Sequence, residues 1–259
     1  MQPIALVRRT SAALRDGITS HIERRPVDTD LAEQQHRAYC AALADAGYDV
    51  RHVPDAPDLS DAVFVEDTAV VVDDVAVLAR PGAAERRGEV AGTEQVLREL
   101  DLRLHAITSP GTLDGGDVLQ VGRTVYVGRG GRTNGPGITQ LRALLAPLDR
   151  TVVPVRLTEV LHLKSAVTAL PDRTLLVHRE LFESGALPAA RSVPEEAGCH
   201  VVPLHDGSVL ISESAPRTGE LLEDLGFRTR PVPMSEFEKR EGCVTCLSIL
   251  VDPAAGRAG

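Results

Sequence analysis

Four times along this chain two short runs of β-formers are joined by a tight turn. "FVEDTAVVVDDVAVLAR" breaks at Asp73-Asp74, "DVLQVGRTVYVGR" at Gly122-Arg123, "AVTALPDRTLLVHR" at Pro171-Asp172-Arg173 and "HVVPLHDGSVLIS" at Asp206-Gly207. Each pair reads as a β-hairpin, because turn residues interrupt alternating or apolar runs. Helical stretches are interleaved with them. Ala83–Leu100 places Val90, Val96, Leu97 and Leu100 roughly on one face, Gly137–Leu148 does so with Ile138, Leu141, Leu144 and Leu145, and Pro216–Gly226 starts on Pro and stops on Gly. A further β-run follows each helix: "LRLHAIT", "TVVPVRL" and "FRTRPVPM". Hairpin, helix, strand therefore recurs at roughly fifty residues, a period that suits a radial array of α/β units. The chain opens on one strand, "IALVRR", and closes on another, "CVTCLSILV". Pairing the two would complete a unit, close a ring and remove exposed sheet edges.

The chain has 259 residues, 43% of them hydrophobic, so it can bury a sizeable core. No linker-like stretch or charge block divides it, and a single domain over 1–259 is expected. No apolar run reaches the ~18 residues of a membrane span. The opening "MQPIALVRRTSAALRDG" lacks the pattern of a secretory signal, and the four cysteines are irregularly spaced. A cytoplasmic protein without a disulfide framework is expected. The net charge of −9 argues against a nucleic acid or an anionic membrane as partner and is compatible with a small cationic substrate. The tail "DPAAGRAG" reads as frayed.

Several residues have the chemistry of a site. Cys246 in "EGCVTCLSILV" is either a buried thiol in a core strand or a nucleophile; with Cys243 it also forms a CxxC pair, weak as a zinc site but compatible with redox chemistry. His162 in "EVLHLKSAVTAL" lies between two apolar runs, where a loop joins layers. A nucleophilic Cys needs a partner that lowers its pKa or moves its proton, and His is the usual one. Asp114 and Asp117 of "LDGGD" are candidates to orient that His, or are simply turn formers. Asp61, Glu66 and Asp67 crowd around "AVFV", and Asp67 interrupts an apolar run from Ala62 to Val72. A buried, unpaired acid there would be costly, and a cationic ligand would offset the cost.

Taken together, "VFVEDTAVV", "ARPGAAERR", "LDGGDVLQVGRTVYVG", "RTN", "LHLKSAVTAL" and "MSEFEKREGCVTCLSILV" resemble, in order and over nearly the whole chain, the dimethylarginine dimethylaminohydrolase family of the guanidine-modifying (amidinotransferase) superfamily. The resemblance implies a five-bladed α/β propeller of ββαβ units around a central channel. It implies hydrolysis of Nω-methylated arginines to citrulline and an alkylamine, with no metal or organic cofactor and a small cationic amino acid as the binding partner; monomer and homodimer stay open. Carried over by position, the nucleophile falls on Cys246, the catalytic histidine on His162 and the catalytic carboxylate on Asp114. Asp67, supported by Glu66, would bind the guanidinium. Asp61 would receive the α-amino group, Arg86 and Arg132 the α-carboxylate, and Ile18 would belong to a lid. Cys243 departs from the pattern, which is expected to have an apolar residue there. Strand alternation puts residues three apart on opposite faces, which argues against a bond or shared zinc between Cys243 and Cys246 unless Gly242 lets the chain bend. Alternatives are an arginine deiminase or amidinotransferase, whose usual His-x-Asp is here "HLK", a non-catalytic protein that binds arginine-like ligands, and a CxxC redox or zinc protein.

Overall fold

The structure, a computed structural model, describes residues 2–178 and 187–252. In chain order its strands and α-helices are β1 (Ile4–Val7), α1 (Thr29–Asp45), β2 (Asp49–His52), β3 (Ala69–Val72), β4 (Val75–Leu78), α2 (Val90–Leu97), β5 (Arg103–Ala106), β6 (Val118–Val121), β7 (Thr124–Arg129), α3 (Gly135–Leu145), β8 (Thr151–Arg156), β9 (Val167–Ala169), β10 (Leu175–Val177), β11 (Ala190–Ser192), β12 (Val201–Pro203), β13 (Val209–Ser212), α4 (Pro216–Asp224), β14 (Thr229–Val232), α5 (Ser235–Glu238) and β15 (Ile249–Val251).

Among the described residues the strands form five three-stranded sheets: β15-β1-β2, β3-β4-β5, β6-β7-β8, β9-β10-β11 and β12-β13-β14. Every sheet has the same plan, an antiparallel pair followed by a parallel one. This is the ββαβ unit of an α/β propeller. The turns fall at the predicted breaks. Val72 pairs with Val75 and Val121 with Thr124, so Asp73-Asp74 and Gly122-Arg123 are two-residue loops. Asp73, Gly122, Arg173 and Gly207 all have positive φ, as tight turns of this hand require. The chain ends also meet as expected: Ile4 pairs with Val251 and Leu6 with Ile249, so the first unit is built from both ends of the sequence.

The first strand of each sheet lines a central cavity of about 310 Å³, with Val70, Leu119, Thr168, Val202 and Ile249 among its walls. Helices pack outside the sheets. On α1, Ala32, His36, Tyr39 and Leu43 are buried at spacings of four, three and four, one face of a 3.6-residue helix. Its N-cap, Asp28, accepts from the N–H groups of Asp30 and Leu31. No helix among the described residues is long and apolar enough to cross a membrane.

One element differs from the sequence reading. Of "CVTCLSILV", only Ile249–Val251 is strand; residues 244–247 form a turn. The Cys246 N–H donates to the Cys243 carbonyl at 3.1 Å, which closes a β-turn and brings the two cysteines together.

Candidate active site

A short turn precedes the first strand of every sheet. These are the 3-10 turns Val65–Thr68, Gly115–Asp117, Leu163–Ser165 and Glu196–Cys199, and the β-turn at residues 243–246. Neighbouring turns are tied to one another. Gly116 N–H donates to Asp67 Oδ1 at 2.8 Å, Leu163 N–H to Asp117 Oδ1 at 3.0 Å, and Glu66 N–H to the Cys246 carbonyl at 3.1 Å. His200 Nε2 lies 2.7 Å from the Ser165 carbonyl. The repeat thus gathers residues far apart in sequence: these turns carry Glu66, Asp67 and Cys246, with Asp114 and His162 each immediately before its turn.

His162 is buried, with Nε2 3.0 Å from Asp114 Oδ2 and 3.9 Å from Asp67 Oδ1. Burial opposes its charge, but Asp67, Asp114 and Asp117 together lift its pKa to about 9. Burial also opposes the Asp67 charge, yet His162 and Arg86 hold that carboxyl well below the usual range. The site therefore holds an imidazolium among carboxylates near neutral pH. Asp114 is fixed by the Gly82 N–H, which donates to Oδ1 at 2.8 Å. Asp117 accepts from Thr133 Oγ1 at 2.5 Å and from the Leu163 backbone, so it shapes the His162 turn; burial raises its pKa to about 7. Gly116 packs on the imidazole so closely that a Cβ there would stand 2.7 Å from His162 Nδ1 and 2.8 Å from Asp67 Oδ1.

Asp67, Asp114 and His162 each offer a ligand atom within 4.8 Å of the others, the donor set of a small dication. Two guanidinium groups already stand there: Arg86 Nη1 is 2.5 Å from Asp67 and Arg132 Nη1 is 3.7 Å from Asp114. Positive charge on three sides suits an organic cation that shares the carboxylates better than a dication that must monopolise them.

The other predicted residues divide. Arg132 is near the cluster, and its Nη1 is buried without a hydrogen-bond partner. Arg86 is held by partners within the protein. Its Nε and Nη2 bind the Glu89 carboxylate, Nη1 binds Asp67, and Nη2 also donates to the carbonyls of Asp61 and Phe64. All three of its nitrogens are engaged, so in this state it braces Asp67 from within the protein. Asp61 accepts from the Ser60 hydroxyl at 2.7 Å and from the Ile18 N–H at 3.1 Å, so in this state it holds the segment that bears Ile18. Glu241 clasps the same segment, accepting from the N–H groups of Ser20 and His21 at 2.7 Å each. Glu66 Oε1 accepts from Lys164 Nζ at 2.5 Å, while Oε2 is buried and unpaired. Burial raises the Glu66 pKa against the opposing charge of Lys164.

Cys246 and Cys243 are both buried and both free thiols, with their sulfurs 3.2 Å apart. The alternation argument against their meeting fails because the segment is a turn. The Cys243 N–H points at Cys246 Sγ at 3.4 Å, and the Thr245 hydroxyl lies 3.0 Å from Cys243 Sγ. Tyr39 of α1 pins the turn from below: its hydroxyl donates to the Val244 carbonyl at 2.8 Å and lies 2.8 Å from Ser248 Oγ. The hydrogen bond with Cys243, burial, and the nearby charges of Cys243, Glu66 and Asp67 push the Cys246 thiol well above its ordinary pKa.

Comparison with known proteins decides the family. The chain is 52% identical, over 95% of its length and 95% of the relative's, to an N(G),N(G)-dimethylarginine dimethylaminohydrolase of Streptomyces coelicolor. It belongs to the dimethylarginine dimethylaminohydrolase family. A Pseudomonas aeruginosa member of the same family is 35% identical over 94% of this chain and 98% of its own. Among solved structures, a dimethylarginine dimethylaminohydrolase adduct with S-methyl-L-thiocitrulline matches at a TM-score of 0.90 and 32% identity, covering 96% of this chain and 100% of that one. A mutant of the Pseudomonas aeruginosa enzyme complexed with citrulline matches at the same TM-score and identity, covering 96% of this chain and 99% of its own. The fold is shared with the N-terminal domain of ArgZ, a cyanobacterial arginine dihydrolase, at 21% identity and a TM-score of 0.81. No family model matches the chain.

Sequence reasoning missed the residues that hold the named ones in place. Glu89, three residues past Arg86, was visible as an i,i+3 partner. Tyr39, Thr133 and Glu241 carried no such signal, because each acts on a segment distant in sequence.

Proposed function

We propose that this protein hydrolyses Nω-methylated arginines to citrulline and methylamine or dimethylamine through a covalent intermediate on Cys246. Membership of the family carries this reading, and the buried imidazolium held between Asp67 and Asp114 supplies the chemistry. Asp67, braced by Arg86, takes the substrate guanidinium. Arg132, with its unpaired buried N–H, takes the α-carboxylate, for which a planar fork is well suited. Asp61 and the Ile18 segment close over the α-amino end.

Cys246 rests as a thiol beside Glu66 and Asp67. A bound guanidinium neutralises these acids and favours the thiolate, the thiol proton passing to solvent. The thiolate attacks the guanidinium carbon, and the bond from that carbon to the alkylated nitrogen breaks. Protonated His162 gives its proton to the departing amine, so the amine leaves neutral. The resulting S-alkylthiouronium is attacked by water, whose proton passes to His162. The C–S bond breaks, citrulline forms and Cys246 is regenerated. Asp114 keeps the His162 ring oriented in both steps.

Specificity follows from the position two residues past His162. That residue is Lys164, which donates to Glu66 and cannot accept a hydrogen bond. A carboxylate there would lose donors to a dimethylated nitrogen and stay unpaired; without one, methyl groups are tolerated. Release of ammonia or alkylamine from arginine, monomethylarginine and the asymmetric and symmetric dimethylarginines, compared as kcat/KM, tests this. The monomethyl and asymmetric dimethyl compounds are expected to react well, arginine and the symmetric compound poorly. Arginine equal to or better than asymmetric dimethylarginine would replace this reading with a deiminase. Cys246→Ser should abolish turnover, and a variant with normal turnover would overturn the covalent mechanism.

A further inference from the structure

Cys243 is not needed for the hydrolysis just described, yet it sits closer to Cys246 than any packing role demands. The two are the first and last residues of one β-turn, so their Cα atoms lie within about 7 Å, inside the range a disulfide spans. Their sulfurs, 3.2 Å apart, need to approach by only about 1 Å to bond. The other two cysteines offer no such pairing. Cys40 lies in α1 against His36, and burial pushes its thiol up to about 11. Cys199 donates to the Glu196 carbonyl at 3.0 Å.

We propose that Cys243 and Cys246 form a reversible disulfide in response to hydroperoxides, which switches the enzyme off. The switch rests on Cys246 being the nucleophile proposed above. Cys243 is the reactive member. The hydrogen bond from the Cys246 thiol, against the effect of burial, and the charge of His200 beyond it hold Cys243 well below the usual thiol range, so it carries the thiolate while Cys246 carries the proton. The Cys243 thiolate attacks one oxygen of a hydroperoxide, the O–O bond breaks, and an alcohol or water leaves after taking up a proton; Cys243 becomes a sulfenic acid. Cys246, deprotonated, then attacks the Cys243 sulfur, and hydroxide leaves and takes up that proton as water. The sulfurs have lost two electrons to the peroxide, and the bond between them occupies the electron pair that Cys246 needs for catalysis. A dithiol reverses the state by thiol–disulfide exchange, becoming a disulfide itself.

The central cavity reaches the side chain beside Cys243. Thr245, whose hydroxyl touches Cys243 Sγ, also lines the central cavity, together with Ser248 and Lys164. Hydrogen peroxide is small enough for that cavity.

The test exposes the purified enzyme to hydrogen peroxide, then to dithiothreitol, and reads both citrulline formation and the state of each cysteine by alkylation and peptide mass mapping. Wild type is expected to lose most of its turnover as the peptide bearing both cysteines loses two hydrogens, and to regain it with dithiothreitol. In Cys243→Ser the dithiol-reversible part of the loss should vanish, and any oxidation of Cys246 should proceed to sulfinic acid. A Cys243→Ser enzyme with the same reversible loss would overturn the proposal, as would wild type that shows no Cys243–Cys246 link or keeps its turnover once linked. The mass reading needs only wild type, so it stands even if the variant fails to fold. Turnover retained by Cys246→Ser would instead remove the nucleophile assignment, an outcome distinct from the presence or absence of the link.

Discussion

Arg86 and Arg132 were matched to one role by the sequence, but their surroundings differ. Arg86 lies between two buried carboxylates and two carbonyls, whereas Arg132 keeps an unpaired N–H. Their loss should therefore look different. Arg132→Ala is expected to raise KM for methylarginine by at least about tenfold, the scale for truncating one partner of a buried ion pair, with little effect on alkylguanidines that lack a carboxylate. Arg86→Ala leaves Asp67 and Glu89 buried without their partner, which costs on the order of 3–5 kcal/mol of stability, and should impair both ligand types alike. Steady-state kinetics with the two ligand classes, plus a urea melt of each variant, checks this. An Arg86→Ala enzyme that is stable and selectively blind to the carboxylate would restore the clamp. The acids, the histidine and the cysteine were legible because their residue types and order are unusual in apolar segments. The direction in which a guanidinium points was not legible, since it depends on Glu89 and on carbonyls that only the folded turn presents.

At the scale of elements, the working parts are single turns that launch the first strand of each blade. Hairpins and helices could be read from periodicity, because β-runs alternate and Asp-Asp, Gly-Arg and Asp-Gly break them. The turn at residues 243–246 could not, because "CVTC" reads as β-strand by local propensity. Tertiary contacts override that propensity: Tyr39 holds Val244, Glu66 N–H holds the Cys246 carbonyl, and Gly242 admits Phe64 so closely that a Cβ would stand 2.3 Å from its ring. The turn bearing Gly116 makes the same point testable. Gly116→Ala places a methyl 2.7 Å from His162 Nδ1, so the imidazole must shift away from Asp114 and Asp67. Overpacking of this kind costs roughly 1–3 kcal/mol, which a closed propeller survives, while turnover should fall at least about a hundredfold, the lower range of a general acid–base contribution. Circular dichroism and citrulline assays on one sample separate the two effects. A Gly116→Ala enzyme with normal turnover would mean that the imidazole does not need its present position.

The whole molecule is a ring closed by its own ends, with β15 beside β1, and the site draws on the entrances to β3, β6, β9 and β15. No single blade contains it, so its charges are assembled only when the ring is, and their titration is linked to global unfolding. His162 gives the clearest case. Its pKa rises from 6.5 to about 9 on folding, so between those values the folded protein binds a proton that the unfolded chain has released. The stabilisation is fully present below about pH 6.5 and is lost as pH rises through about 9. Its size is on the order of 3 kcal/mol, from 1.36 kcal/mol per pKa unit. Asp67, depressed on folding, acts at the opposite end: its contribution is lost as pH falls through its lowered pKa. The thiols of the unfolded chain, with pKa values of about 8.5, titrate over the same alkaline range, so the measurement is a difference. Urea unfolding of wild type and His162→Gln at several pH values should show the wild-type advantage largest below about pH 6.5 and shrinking steadily toward pH 9 and above. A difference that stays constant across that range would mean His162 is neutral in the folded protein, and it would remove the imidazolium from the first step of the proposed hydrolysis.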